Sequence, residues 1–183
     1  MNYDDLSLYP SDPQITEADL LKFEYAHRLK LPADYRNLLL KYNGGMFFNN
    51  ERHFNCYFNL SLLIHEEPEP IEITDDIIEF FSLDLLFPGT YTALELEQYD
   101  DDEEEQIVRT KARTLLGIAN GTNGQYLIDF GPEKYGQIFF YLNGYFDVEK
   151  QPYLVSPSFR TWVEQFVIKE RFDFTLGKTC KCE

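Results

Sequence analysis

The stretch Leu115 to Gly144 constrains the fold most, because three β-type segments follow one another there with turn chemistry between them. LLGIA leads into the turn-rich NGTNG, QYLIDF into GPEKYG, and QIFFYL into Asn143 and Gly144. Aromatic and β-branched residues fill the runs while Gly, Asn and Pro fill the gaps, which predicts an antiparallel meander. A sheet of this kind needs a cover on its apolar face. The segment after Ser156, Pro157 and Ser158 supplies one, since Phe159, Trp162, Val163, Phe166 and Val167 recur at helical spacing on a single stripe.

Two further helices are expected near the start. Thr16 caps the first, with Asp19 completing a shortened capping box, and Leu20, Phe23 and His27 share its stripe until it ends near Leu29. In LPADYRNLLLKYNGG, Pro32 is pre-set for a first helical turn and Asp34 favours the positive end of the helix dipole. Tyr35, Leu38, Leu39 and Tyr42 form the apolar stripe, and Asn43, Gly44 and Gly45 stop the helix before a strand through Met46, Phe47 and Phe48. From Met46 to Ile64, Asn49 and Asn50 mark the turn of a hairpin whose Phe54, Cys56 and Phe58 alternate with Asn55, Tyr57 and Asn59. The apolar positions Ile71, Ile73, Ile77, Ile78, Phe80 and Phe81 fit either a helix or a strand. Between residues 90 and 114 a short helix from Thr92 and Glu95 running into a loop competes with a hairpin, because Arg109, Lys111 and Arg113 alternate with Val108, Thr110 and Ala112.

These elements predict an α+β fold: a single domain whose mixed or antiparallel sheet carries two N-terminal helices and a C-terminal helix. At 183 residues and 44% hydrophobic the chain fits one such unit with a substantial core. Residues 1–14, with Pro10 and Pro13, form an irregular lead-in, 15–171 the domain, and 172–183 a peripheral tail. No run approaches the ~18 apolar residues of a membrane span, and MNYDDLSLYP lacks a signal-peptide pattern, so a cytoplasmic protein is expected. Cys56, Cys180 and Cys182 are too few and too uneven for a disulfide framework.

The net charge of −16 is segregated. Glu66 to Glu105 holds sixteen of the thirty-two acids and no Lys, Arg or His, so the rest of the chain is neutral and this window carries the whole excess. Such a field repels nucleic acid and anionic membrane and attracts basic proteins.

Taken in order, these features resemble the SUKH superfamily, which includes the yeast cell-wall assembly regulator and many bacterial immunity proteins. The resemblance is carried by Ile15, Leu20, Phe23 and Glu24, then by Leu31, Pro32, Tyr35, Arg36, Leu39, Asn43, Gly44 and Gly45. It continues through Leu116, Gly117, Ile118, the turn Asn120 to Gly124, Leu127, Asp129, Gly136, Ile138, Ser158 and Phe159. It implies an α+β fold and a protein-binding role, most often neutralising a toxin that is frequently a nuclease. Two places depart from it: no glycine precedes Leu31–Pro32, and the acidic middle matches no pattern of the family.

The candidate contact residues are Asp100, Asp101, Asp102, Glu103, Glu104 and Glu105 with Glu95, Glu97, Tyr91 and Tyr99 beside them; Tyr57 is a further tyrosine of that type. Carboxylates can occupy the Lys and Arg surface that a nuclease must present to phosphates, and tyrosine anchors interfaces. The competing readings are a solvated loop and calcium binding, the latter opposed by the lack of alternating ligands and of an EF-hand glycine. His27, His53 and His65 share no ligand spacing, Cys180 and Cys182 form a lone CxC pair, and NGTNG precedes a strand where a phosphate-binding loop opens a helix. Asp129 has no second acid fixed nearby and Trp162 is a core anchor. The expectation is a non-enzymatic protein without metal or cofactor that occludes a basic toxin; the alternative is a regulatory or scaffold module. Whether it forms a homodimer stays open.

Overall fold

A computed structural model describes residues 2–47, 52–62, 70–86, 113–143, 152–173 and 178–180. The first helix, α1 (Glu17–His27), starts on the expected box: Thr16 accepts the Asp19 backbone N–H, and Asp19 in turn accepts the Thr16 backbone N–H. Helix α2 (Ala33–Tyr42) follows, with Pro32 standing just outside its first turn. Asn43 ends it at φ 48° and then holds two segments with its side chain, donating to the Pro13 carbonyl at 2.8 Å and accepting from the Leu83 N–H at 2.9 Å. Gly44 follows at φ 81°, where an added Cβ would lie 2.5 Å from the Ser82 nitrogen, so both conformation and space require glycine.

The strands are β1 (Gly45–Met46), β2 (Arg52–Leu62), β3 (Ile71–Phe80), β4 (Leu115–Gly121), β5 (Gly124–Asp129), β6 (Ile138–Leu142), β7 (Tyr153–Ser156), β8 (Val167–Asp173) and β9 (Lys178–Cys180). They pair antiparallel in the order β7-β6-β5-β4-β3-β2-β8-β9, with β1 on β3 in line with β2. The meander is β4 to β6, as its turn chemistry predicts. Among the described residues β1 and β2 do not pair with each other as the expected hairpin within Met46 to Ile64 would require, but each pairs with β3; the turn expected at Asn49 and Asn50 lies outside the described residues. The apolar stretch from Ile71 is therefore a strand, its alternation fixed by neighbours on both edges.

Helix α3 (Phe159–Glu164) is shorter than its periodicity predicts. Phe159, Trp162, Val163 and Phe166 already reach the core, and Val167 leaves the helix to open β8 opposite Tyr57. The far end of the chain, expected as a peripheral tail from residue 172, contributes Phe172 and Asp173 to β8 and the outermost strand β9. The lead-in is packed as well as irregular. Leu6 and Leu8 are buried, Tyr3 donates to the Asp34 carbonyl at 2.5 Å, and Arg160 lies over the Tyr3 ring at 4.4 Å.

The core between the helices and the sheet is aromatic. Trp162 is fully buried, 4.6 Å from the Tyr126 ring and edge-on to Phe166 at 4.9 Å, with Phe58 and Phe80 beyond. On β4 to β6 the opposite face is covered as well, since Leu115, Leu127, Phe139 and Tyr141, of the other parity, are also buried; on β3 that face is open. No helix of the described residues is long and apolar enough to cross a membrane.

Candidate functional site

The acid window begins in the described structure as β3, and strand geometry sorts its charges. Ile71, Ile73, Asp75 and Ile77 share one parity and Glu72, Thr74 and Asp76 the other. A bulge between Ile77 and Glu79, opposite β4, then places Ile78 and Glu79 together on the outer side and returns Phe80 to the core. The result is an outer row of Glu72, Asp76 and Glu79.

That row is built into a polar ladder. Across β2 and β3, Ser61 donates to Glu72 at 2.5 Å and Thr74 donates to Asn59 at 3.0 Å, while Tyr57 stands opposite Asp76. On the other edge the Asn120 amide donates to Glu79 at 3.1 Å. Each carboxylate keeps further lone pairs, since one oxygen can accept more than one donor. Partial burial, and then the charge of Asp75, raise the pKa of Asp76. The surface can accept N–H donors from a lysine- or arginine-rich partner. Ile78, exposed beside Glu79, adds an apolar contact.

Asp75 is withdrawn from the row and completely buried. Its Oδ1 accepts the Asn123 backbone N–H at 2.8 Å and the Asn123 amide at 3.0 Å, and its Oδ2 accepts the Tyr126 hydroxyl at 2.7 Å. Burial raises its pKa, with these hydrogen bonds opposing the shift, and burial with the Asp75 charge pushes Tyr126 well above its ordinary value. A Cβ on Gly121 would come within 1.8 Å of Oδ2, so the carboxyl group can cross β4 only above a glycine. The NGTNG stretch is thus a turn pinned by a buried carboxylate. Its signal was available: Asp75 has the parity of three isoleucines.

Sequence reasoning also left Glu24 without a role. Glu24 takes a buried place on α1, accepts the Leu31 N–H at 2.8 Å and pairs with Arg36 at 2.6 Å, while Arg36 also pairs with Glu17. Two charged side chains, 10% and 14% exposed, join the helices across their tight connection. Glu24 lies one turn beyond Leu20, which was the signal for burial.

The remaining candidates fall as follows. Tyr91, Glu95, Glu97, Tyr99 and Asp100 to Glu105 lie outside the described residues, as do the segment from residue 90 to 112, Asn49, Asn50, His65 and Cys182. His27 is exposed and lies tilted against the Phe23 ring at 4.5 Å rather than joining the core stripe, because α1 ends there and Arg28 turns away. Asp129 is buried, its Oδ1 accepting the Gly131 N–H at 2.6 Å to fold the β5–β6 turn. Cys56 is a buried free thiol whose pKa burial pushes up. Among the described residues no group of three His, Cys, Asp or Glu is placed to hold a metal ion.

The sequence profile of a known family, the SMI1 / KNR4 family (SUKH-1), matches residues 14–165. The matched span runs from the cap of α1 to the end of α3 and includes the outer row on β3; β8 and β9 lie beyond it. No curated protein matches the chain.

Proposed function

The chain belongs to the SMI1 / KNR4 family (SUKH-1), and from that premise we propose that it is a protein-binding module of the immunity type, which occludes a basic toxin such as a nuclease. The observation that carries this reading is the segregation of charge: the whole excess of −16 lies in Glu66 to Glu105, and within it Glu72, Asp76 and Glu79 form an outward row. A nuclease must expose lysine and arginine to bind phosphates. Carboxylates aligned on a rigid sheet meet those cations with charge-assisted hydrogen bonds, and the one-sign field speeds encounter. The acids Asp100 to Glu105, with Glu95, Glu97, Tyr91 and Tyr99, lie outside the described residues and are read from their charge and type as further contacts for the same partner. The action is occupancy, with no bond made or broken.

The decisive experiment is co-expression with a toxin encoded beside the gene. Growth rescue and a complex on a sizing column support the reading. Failure of both with every neighbouring candidate removes it and leaves the regulatory or scaffold module.

A further inference from the structure

On the helical side of the molecule, away from the acid row, α1 carries a second surface of opposite character. Leu21, Tyr25 and Arg28 follow one another along the outer stripe of the helix, and Tyr25 is 88% and Leu21 54% exposed. They line an open depression that reaches Leu29, while Tyr135 is exposed on the loop whose Gly136 lies against Pro32. Between Leu20 and Ala33 the charged residues are Lys22, Arg28 and Lys30 with a single acid, Glu24, which is occupied by Arg36 and the Leu31 N–H. None of those three cations is in an ion pair among the described residues, and Lys22 has a nearby carboxylate outside that window, Asp19, on which its charge acts.

The backbone adds an independent observation. Arg28 ends α1 in the left-handed region at φ 53°, a conformation for which glycine is the ordinary choice. A non-glycine residue there is strained, and since the fold needs this backbone turn but not an arginine side chain on it, the arginine is a mark of use. The helix dipole accounts for a cation near the C-terminus. It does not account for two large apolar side chains facing solvent or for arginine in place of glycine.

We propose that the Leu21–Tyr25–Arg28 stripe of α1 docks an acidic protein segment, one that sets an apolar side chain between carboxylates. The apolar residue fills the depression beside Tyr25, and the carboxylates meet Arg28, Lys22 and Lys30. Aromatic and arginine side chains dominate binding energy at such surfaces. Charges beyond about one Debye length, roughly 8 Å at physiological ionic strength, are largely screened, so a short segment on α1 is governed by these cations and not by the share of the acid excess that lies on the outer face of β3. An extended polyanion such as nucleic acid or an anionic membrane cannot avoid that excess in the same way.

The test is amide chemical-shift titration of the full chain with a synthetic peptide of glutamates flanking leucine and phenylalanine, run beside its lysine counterpart, phosphatidylglycerol vesicles and a dilution series without additive. The proposal requires that the acidic peptide shift the amides of Leu21, Tyr25 and Arg28, that salt weaken the effect, and that the lysine peptide have none. Arg28→Gly must remain folded, unfold at higher temperature and bind the acidic peptide about tenfold more weakly; Tyr25→Ser must lose binding without loss of fold. Equal response to both peptides, response to neither, or undiminished binding by Arg28→Gly overturns it. Shifts at α1 from vesicles alone, or from dilution alone, overturn it in favour of a lipid surface or a second copy of the chain.

Discussion

Asp75 on β3 and Tyr126 on β5 are joined by a 2.7 Å hydrogen bond that passes over the strand between them, at the one place where β4 offers Gly121. A buried acceptor therefore ties three strands and the Thr122–Asn123 turn together. Asp75→Ala leaves the buried Tyr126 hydroxyl and the half-buried Asn123 donors without their acceptor, and the expected loss is about 2–4 kcal/mol. Asp75→Asn keeps one acceptor and should lose roughly half as much. Urea unfolding with unchanged slope measures both.

Gly121→Ala should be as damaging as removal of the carboxylate, about 3 kcal/mol, since its methyl would sit within bonding range of Oδ2. In an Asp75→Ala background the same change should cost far less. A double-mutant cycle reads that coupling directly, and additive losses would refute the steric account.

Burial raises the Asp75 pKa above its unfolded value of 3.8, and Asp76 is raised as well. The folded state therefore holds these protons more tightly than the unfolded one. The stability they contribute is complete below pH 3.8 and is lost as pH rises through the raised folded values. Urea melts across the acid range should show Asp75→Asn losing part of this decline.

Glu24→Ala leaves the Leu31 N–H without its acceptor and Arg36 with Glu17 alone, and about 2–3 kcal/mol of stability should go with it. Glu24→Gln still accepts from Leu31 and should lose less. At the end of the same helix, Arg28→Gly should gain about 1 kcal/mol by relieving the left-handed backbone, which in a chain of this size is roughly 2–4 °C in melting temperature.

Replacing Glu72, Asp76 and Glu79 by glutamine should slow association with a basic partner and flatten its salt dependence while the fold is kept. Neutralising Asp100 to Glu105 should act in the same direction. Stopped-flow rates at several ionic strengths compare the two sets and rank their shares of the surface.

The elements that the sequence announced are those whose partners are near in the chain. The Thr16 box, the α2 stripe with its Asn43 stop, and the β4–β6 meander all rest on contacts between neighbours, so periodicity and turn residues suffice. Non-local pairing defeated it elsewhere. Nothing near Cys56 says that Ile168 lies beside it, and nothing near Val167 says that a helix gives way to a strand there. The bulge after Ile77 breaks the alternation just where the acid row is made, so the positions of Ile78 and Glu79 could not be counted from Ile71. For the Asp100 to Glu105 run there is charge but no period, and charge alone assigns a partner type without a geometry.

The place of β8 beside β2 also bears on the order in which this protein can be made. During synthesis the two N-terminal helices, β2 and the meander leave the ribosome before Val167 to Asp173 does, and one edge of β2 waits unpaired until that segment emerges. Such late closure of a long-range pair is slow, and an open strand edge invites pairing with another chain in the interval. Nascent chains halted before β8 should therefore be the aggregation-prone species, and β8 acts as the lock that ends that exposure.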